Sequence, residues 1–458
     1  MSPKTSDNST RRLVESVAMN IVCIVVDRLH WGYLGCYGNT WIVTPALDRL
    51  ASEGFVFAQG MAESTDLAET YDCYWQGVSV LQSRLQAPRM ALPTLIERAR
   101  RSGKRTILVT DEPLVAEHSA GAAFDEAVVL EAPPSECPPA ADAGSTFAAR
   151  ILTEAIDRAT PDAAPFFLWV HARGLGGPWD APPEYRNRYA EEDDPTPPEF
   201  TAVRHEELPD DADLDRRFGI AQAYAGQVTL LDACLGGLLE HLDEAGLAQD
   251  TAVVLLAPRG IALGEHGAVG MFDERLHGEL VQTPAVVRLP EGRGRLRRSQ
   301  ALVQSSDWYF TLAELCETAN GSSTNAATDV DAARSPLPRS VLPLIDDPTT
   351  VWRDRALVVG PISKYGAPTE LGIRTPAWYL RCRTAPTPAP RPTVDAAEEA
   401  PPDELFAKPD DAWEANDVAD RCVDVVDLLR QAAVDGQAAV VAGTVPEPLS
   451  ADIALGLA

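Results

Sequence analysis

Residues 20–26 read Asn-Ile-Val-Cys-Ile-Val-Val, six apolar side chains in succession that stop at the charged pair Asp27-Arg28. A short, continuous apolar run of this kind, rich in β-branched residues, is the signature of a buried strand. Similar runs return at 105–110 (RTILVT), 165–170 (PFFLWV), 251–257 (TAVVLLA) and 283–289 (TPAVVRL), with helical patterns between them. That alternation predicts an α/β fold. One helix is expected over 44–54, which opens on Thr-Pro and closes on Gly. A longer one is expected over 220–246, where apolar residues recur at three- and four-residue steps and give one face to the sheet.

Pro-, acid- and Ala-rich stretches at 131–142, 192–212, 318–338 and 384–403 read as solvated loops. Beyond about residue 345 the pattern changes to short strands, at 355–360, 372–383 and 403–406, followed by a helix at 417–433. The expected organisation is therefore a disordered leader (1–18), an N-terminal α/β domain (19–345), a small C-terminal subdomain (346–435) and a tail (436–458). No internal repeat is visible.

The 458 residues carry a net charge of −29, which argues against non-specific binding to nucleic acid or to anionic membranes. The run at 21–26 is too short for a signal-peptide core, and nothing approaches the roughly 20 apolar residues of a membrane span. Eight scattered cysteines without a C-x-x-C pair fit reduced, buried thiols. A cytoplasmic location is the expectation.

The segment NIVCIVVDRLHWGYLGCYGN (20–39), followed by TPALDRLASEGFVFAQGMA (44–62), resembles the opening of the sulfatase family, within the alkaline phosphatase superfamily. Later segments match in the same order: YAGQVTLLDACLGGLLEHLDEAGLAQDTAVVLLAPRGIALGEHG (224–267), TPAVVRLPEG (283–292), LVQSSDWYFTLAELC (302–316), GIRTPAWYLR (372–381) and DELFAKPDD (403–411). The resemblance implies a large mixed sheet flanked by helices, with a small C-terminal antiparallel α+β subdomain. It also implies hydrolysis of a sulfate ester by a formylglycine nucleophile and a divalent cation, usually calcium, held by hard oxygen ligands.

The positions that carry this chemistry in the family hold unsuitable residues here. Of the four expected metal ligands, Asp27 is competent, whereas Arg28, Pro258 and Arg259 are not. A guanidinium cannot coordinate a cation, and its charge opposes one. A gapless register between Phe57 and Gly77 puts Leu67 at the nucleophile, Glu69 at the motif's proline and Tyr71 at its arginine. Leucine offers no nucleophilic atom. Cys73 lies nearly two turns too late and reads as a structural thiol. Ser64, Thr65 and Thr70 read as cap or surface hydroxyls. Gly176 and Leu175 replace a histidine and the proline before it, and Met271 stands at a lysine position. His171, Glu265 and His266 match residues common near the family's site, and read either as scaffold hydrogen-bonding groups in the loops or as ligand-binding ones.

These losses predict a sulfatase-like protein without calcium or formylglycine and without ester hydrolysis. Arg28 and Arg259 are expected to converge beside Asp27, where they either bind that carboxylate or hold a small anionic or sulfated ligand, with His171 and His266 as further candidates. Two other readings stay open: a hydrolase of altered mechanism on sulfate or phosphate esters, and a non-catalytic partner in a homo- or hetero-oligomer of sulfatase-like proteins.

Overall fold

The computed structural model describes residues 19–87, 91–161, 164–194, 205–209, 212–317, 337–362, 368–383 and 402–456. The leader and most of the loops at 192–212, 318–338 and 384–403 lie outside the described residues. The strands, in chain order, are β1 (Asn20–Val26), β2 (Phe55–Met61), β3 (Arg105–Thr110), β4 (Glu126–Val129), β5 (Phe166–Ala172), β6 (Glu206–Glu207), β7 (Thr251–Leu256) and β8 (Ala262–Leu263). They continue with β9 (Ala268–Gly270), β10 (Gln282–Arg288), β11 (Arg297–Gln304), β12 (Ala356–Val359), β13 (Leu371–Arg374), β14 (Trp378–Cys382) and β15 (Glu404–Ala407).

Eight of them form one sheet in the order β11-β2-β10-β7-β1-β5-β3-β4. β10 runs antiparallel to both its neighbours, and the other pairings are parallel. The apolar run that opens the chain lies in the middle, between β5 and β7. Its alternate residues divide between two cores. Val22, Ile24 and Val26 face one side, with Leu47 and Leu50, Ile151, and Leu231 and Leu235 from three helices (Pro45–Glu53, Phe147–Arg158 and Leu214–Glu244). Ile21, Cys23 and Val25 face the other, with Tyr71 and Trp75, Leu95, and Leu312 from Leu67–Gln76, Leu95–Arg101 and Asp307–Glu317. A strand covered on both faces needs no polar side chain, which is why the run is uniformly apolar.

The long helix starts at Leu214, six residues before its expected start, because the Asp213 side chain caps it. The C-terminal strands form a separate antiparallel sheet, β12-β13-β14-β15. The segment 372–383, expected as one strand, is the hairpin β13–β14. The helix expected at 417–433 runs from Val423 to Ala442. Ala439 and Val440 are buried, so the packed structure continues past residue 435, where the tail was expected to begin. This small sheet packs its Leu357, Ile373 and Leu405 on that helix. Its Val358, Tyr379 and Phe406 pack on Met61, Phe272 and Leu276 of the main domain. Among the described residues no helix is long and apolar enough to cross a membrane.

Candidate functional site

In register, Val25 of β1 lies beside His171 of β5 and Leu256 of β7. The loops leaving these three strands therefore meet at one edge of the sheet, the carboxyl edge where α/β folds place their ligands. Backbone hydrogen bonds tie them together: Asp27 N–H donates to Ala172 (3.0 Å), Arg28 N–H to Arg259 (3.1 Å) and Leu175 N–H to Asp27 (3.2 Å). Arg28 occupies this corner with φ +64°, a left-handed conformation that costs a non-glycine residue about 1–2 kcal/mol.

Two arginines and two aspartates fill the corner. Arg259 grips Asp27 as a fork, Nε to Oδ1 at 3.0 Å and Nη2 to Oδ2 at 3.1 Å. Its Nη1 donates to the Thr65 carbonyl (2.7 Å) and to Asp273 Oδ2 (3.0 Å). Arg28 donates through Nη2 to Asp273 Oδ1 (2.7 Å) and through Nη1 to the Gly260 carbonyl (3.1 Å). Its Nε, 3.9 Å from Asp27 Oδ1, is buried without a hydrogen-bond partner. Burial alone would push the Asp27 carboxyl up, but the charges of Arg259 and Arg28 outweigh it and hold the group at about 2. Asp27 is thus ionised at neutral pH, and the four charges cancel.

This arrangement does not suit a divalent cation. Both Asp27 oxygens are engaged by a guanidinium, Pro258 brings no side-chain oxygen, and Asp273 bridges the two arginines. An ion placed here would sit within a few ångströms of two fixed positive charges.

The helix Leu67–Gln76 begins next to this cluster. Its N-cap is Asp66, whose carboxylate accepts the Glu69 N–H (3.1 Å), so the helix start is satisfied from within the chain. Leu67, at the expected nucleophile position, is buried in the core, and Glu69 is paired with Arg84 at 2.6 Å. The nearby hydroxyls are all engaged. Ser64 accepts from Asp66 N–H (3.1 Å), Thr65 donates to the Asp273 carbonyl, and Thr70 donates to the Asp66 carbonyl (2.9 Å). Cys73 is fully buried, and burial pushes its thiol well up.

Tyr71 replaces the expected arginine with a buried phenol. Its hydroxyl lies 2.6 Å from His171 Nδ1 and accepts from Trp169 Nε1 at 3.2 Å. Burial pulls His171 down to about 4, so the ring is neutral at physiological pH. Gly176 completes the corner. A Cβ there would lie 3.4 Å from Arg28 Cγ and 3.8 Å from Met271 Sδ, so Gly176, Met271 and Arg28 share one space.

Asp27, Arg28 and Arg259 are therefore brought together as the sequence predicts, with His171 at their side. His266 is not. It hydrogen-bonds Glu279 (Nδ1 to Oε1, 2.8 Å) and stacks on His277, with ring centroids 3.8 Å apart and planes inclined by 6°. Ligand-type atoms of His266, His277 and Glu279 lie within 4.8 Å of one another. A metal bound by an imidazole sits in the ring plane, on the nitrogen lone pair, and two parallel stacked rings share no such point. Arg381 also contacts His277 Nε2, so this cluster is a buried charge network joining the C-terminal sheet to the main domain. Asp273 is the residue that sequence reading missed. It lies two residues after Met271, and no local pattern distinguishes it from a solvated loop acid.

The stacked pair makes stability depend on pH in both directions. Burial would lower His266, but the hydrogen bond to Glu279 and that group's charge raise it from its ordinary 6.5 to about 9. Its contribution is complete below pH 6.5 and is lost as pH rises through 9. Burial, with Arg381 nearby, lowers His277 to about 3, so its contribution holds above pH 6.5 and falls away as pH drops toward 3. Denaturant midpoints measured from pH 6 to pH 10 should fall on the alkaline side, and His266→Gln should flatten that fall. An unchanged slope in the variant would remove His266 as its cause.

Comparison with known proteins finds a match to the Sulfatase family over residues 19–318. Among relatives, iduronate 2-sulfatase of Homo sapiens is 24% identical over 340 residues, 61% of this chain and 61% of that protein. The multifunctional alkaline phosphatase superfamily protein PehA of Trinickia caryophylli is 27% identical over 196 residues, 38% of this chain and 36% of its own. The chain thus spans less than two thirds of either relative's length. Among solved structures, the phosphonate monoester hydrolase of Agrobacterium radiobacter superposes with a TM-score of 0.68 at 17% identity, over 94% of this chain and 97% of that one.

Proposed function

The chain belongs to the sulfatase family, and from that premise we propose that it is a non-catalytic member whose former cation position is closed by an internal salt bridge. The observation that carries this reading is the fork of Arg259 on both oxygens of Asp27. In an active relative that carboxylate would be needed as a metal ligand. Three further features support it. Leu67 stands buried where a nucleophile is required. The start of its helix is capped by Asp66. His171 is neutral and faces Tyr71. Between a closed corner and one open to an anionic ligand, the charge balance favours the closed one: the carboxylates of Asp27 and Asp273 already neutralise both guanidiniums.

The test is an elemental analysis of the purified protein together with a panel of aryl sulfate, aryl phosphate and aryl phosphonate substrates. Less than one-tenth equivalent of any divalent ion and rates at the buffer background are expected. Stoichiometric calcium with turnover of an aryl sulfate would defeat the proposal. Turnover without metal that disappears in Arg28→Ala and Arg259→Ala would replace it with a hydrolase of altered mechanism.

A further inference from the structure

A second group of positive charges lies apart from the Asp27 corner and is only partly neutralised. A pocket of about 190 Å³ is lined by Arg298, Arg374 and Lys408, with Gln59, Gln282 and Gln300, and with Trp31 and Tyr37 on its aromatic side. None of Asp27, Arg28, Arg259 or Asp273 contributes to it. Lys408 is paired with Glu414 at 3.0 Å, whose other oxygen accepts the Gly278 N–H at 2.9 Å. Arg298 and Arg374 form no ion pair with any carboxylate among the described residues. Arg298 is exposed and touches only the Cys36 carbonyl (2.6 Å) among its described polar partners.

Arg374 is the decisive residue. It is 2% exposed and held by neutral groups: Gln59 Oε1 at 2.9 Å and the carbonyls of Thr375 and Trp378. Its Nε has no partner, and neither does the buried indole N–H of Trp31, which lines the same pocket. Burial pulls the guanidinium down to about 10, so it is still charged at neutral pH. The Glu414 carboxylate helps to hold that charge without an ion pair, but it also serves Lys408, so one acid faces two cations, and the buried donors without acceptors add to the cost. A bound anion would relieve both. The surplus of two positive charges also stands out in a protein of net charge −29.

We infer that this pocket is a binding site for a small oxyanion (a sulfate, a phosphate or a carboxylate group on a compact ligand), with Arg374 as its floor and Arg298 at its rim. The cavity is smaller than the roughly 300–1,000 Å³ of a drug-sized site, so the occupant is the charged group with little attached to it. The bidentate geometry of a guanidinium fits all three oxyanions. The site is independent of the Asp27 corner, and its test does not depend on whether the protein hydrolyses esters.

The experiment is isothermal titration of the full chain, in a chloride buffer, with inorganic sulfate, inorganic phosphate and glucuronate as separate probes. Saturable binding of at least one is expected, with affinity reduced at least tenfold in Arg298→Gln and abolished in Arg374→Gln. The order of the three affinities identifies the source of the oxyanion. Should Arg374→Gln fail to fold by circular dichroism, Arg298→Gln, an exposed position, decides the matter alone. No heat with any of the three probes would overturn the inference. So would binding that survives Arg298→Gln unchanged, or binding lost in Arg259→Gln instead, which would assign it to the Asp27 corner.

Discussion

Asp27→Ala is expected to cost the fold about 3–5 kcal/mol, the usual consequence of removing one partner from a buried ion pair. The reason lies in what remains. Asp27 is 5% exposed and Arg28 1%, and Arg259 loses both acceptors of its fork when the carboxylate goes. Asp273 alone would then face two guanidiniums, leaving an uncompensated positive charge at the centre of the sheet edge. Denaturant unfolding of Asp27→Ala, Arg259→Gln and the double variant closes a thermodynamic cycle. The double variant should recover a large part of the loss, because it removes the orphaned charge together with its partner. Additive losses in the cycle would mean that the pair is not what holds this corner together. In the wild type the same carboxylate adds an acid limb. Its stabilisation is complete above its ordinary value of 3.8 and fades as pH falls through about 2.

This corner also shows where sequence reading reaches and where it stops. β1 could be read because a strand buried on both faces must be apolar at every position, and Val22 and Cys23 do face opposite cores. The meeting of Arg28 and Arg259 could be read because both follow central strands whose carboxyl ends are adjacent in the sheet. Asp273 could not, since it reaches the site through a loop whose path depends on tertiary packing. β2 and β11 escaped as strands for a related reason. β11 carries Arg297, Arg298 and Gln300 on an exposed edge, so it lacks the apolar run that marks the central strands. His266 was open to a scaffold or a ligand-binding reading because matching a residue near a site does not say which way its side chain turns. Glu279, thirteen residues later, captures it.

Tyr71→Arg, which installs the arginine that the family resemblance implies at this position, should destabilise the protein by about 3–5 kcal/mol, the scale of a buried charge without a partner. Tyr71 has no exposure. Its ring meets Trp75 edge-on at 4.6 Å and lies within about 6 Å of Tyr74 and Trp169, an environment with little capacity to solvate a cation. The nearby carboxylate of Asp27 is already taken by Arg259, so a second guanidinium would have to compete for it. Tyr71→Phe is the companion variant. It keeps the packing and removes one hydroxyl, leaving His171 Nδ1 and Trp169 Nε1 without their partner at a cost of about 1–3 kcal/mol. The gap between the two variants separates charge from hydrogen bonding. A Tyr71→Arg protein as stable as Tyr71→Phe would show that the pocket has kept room for the family's arginine. A large gap would mean that the core has repacked around the phenol, so that restoring a nucleophile at Leu67 could not by itself rebuild the chemistry. Under the non-catalytic reading proposed above, the barrier to catalysis would then lie in the packing around Tyr71 as much as in the residues beside Asp27.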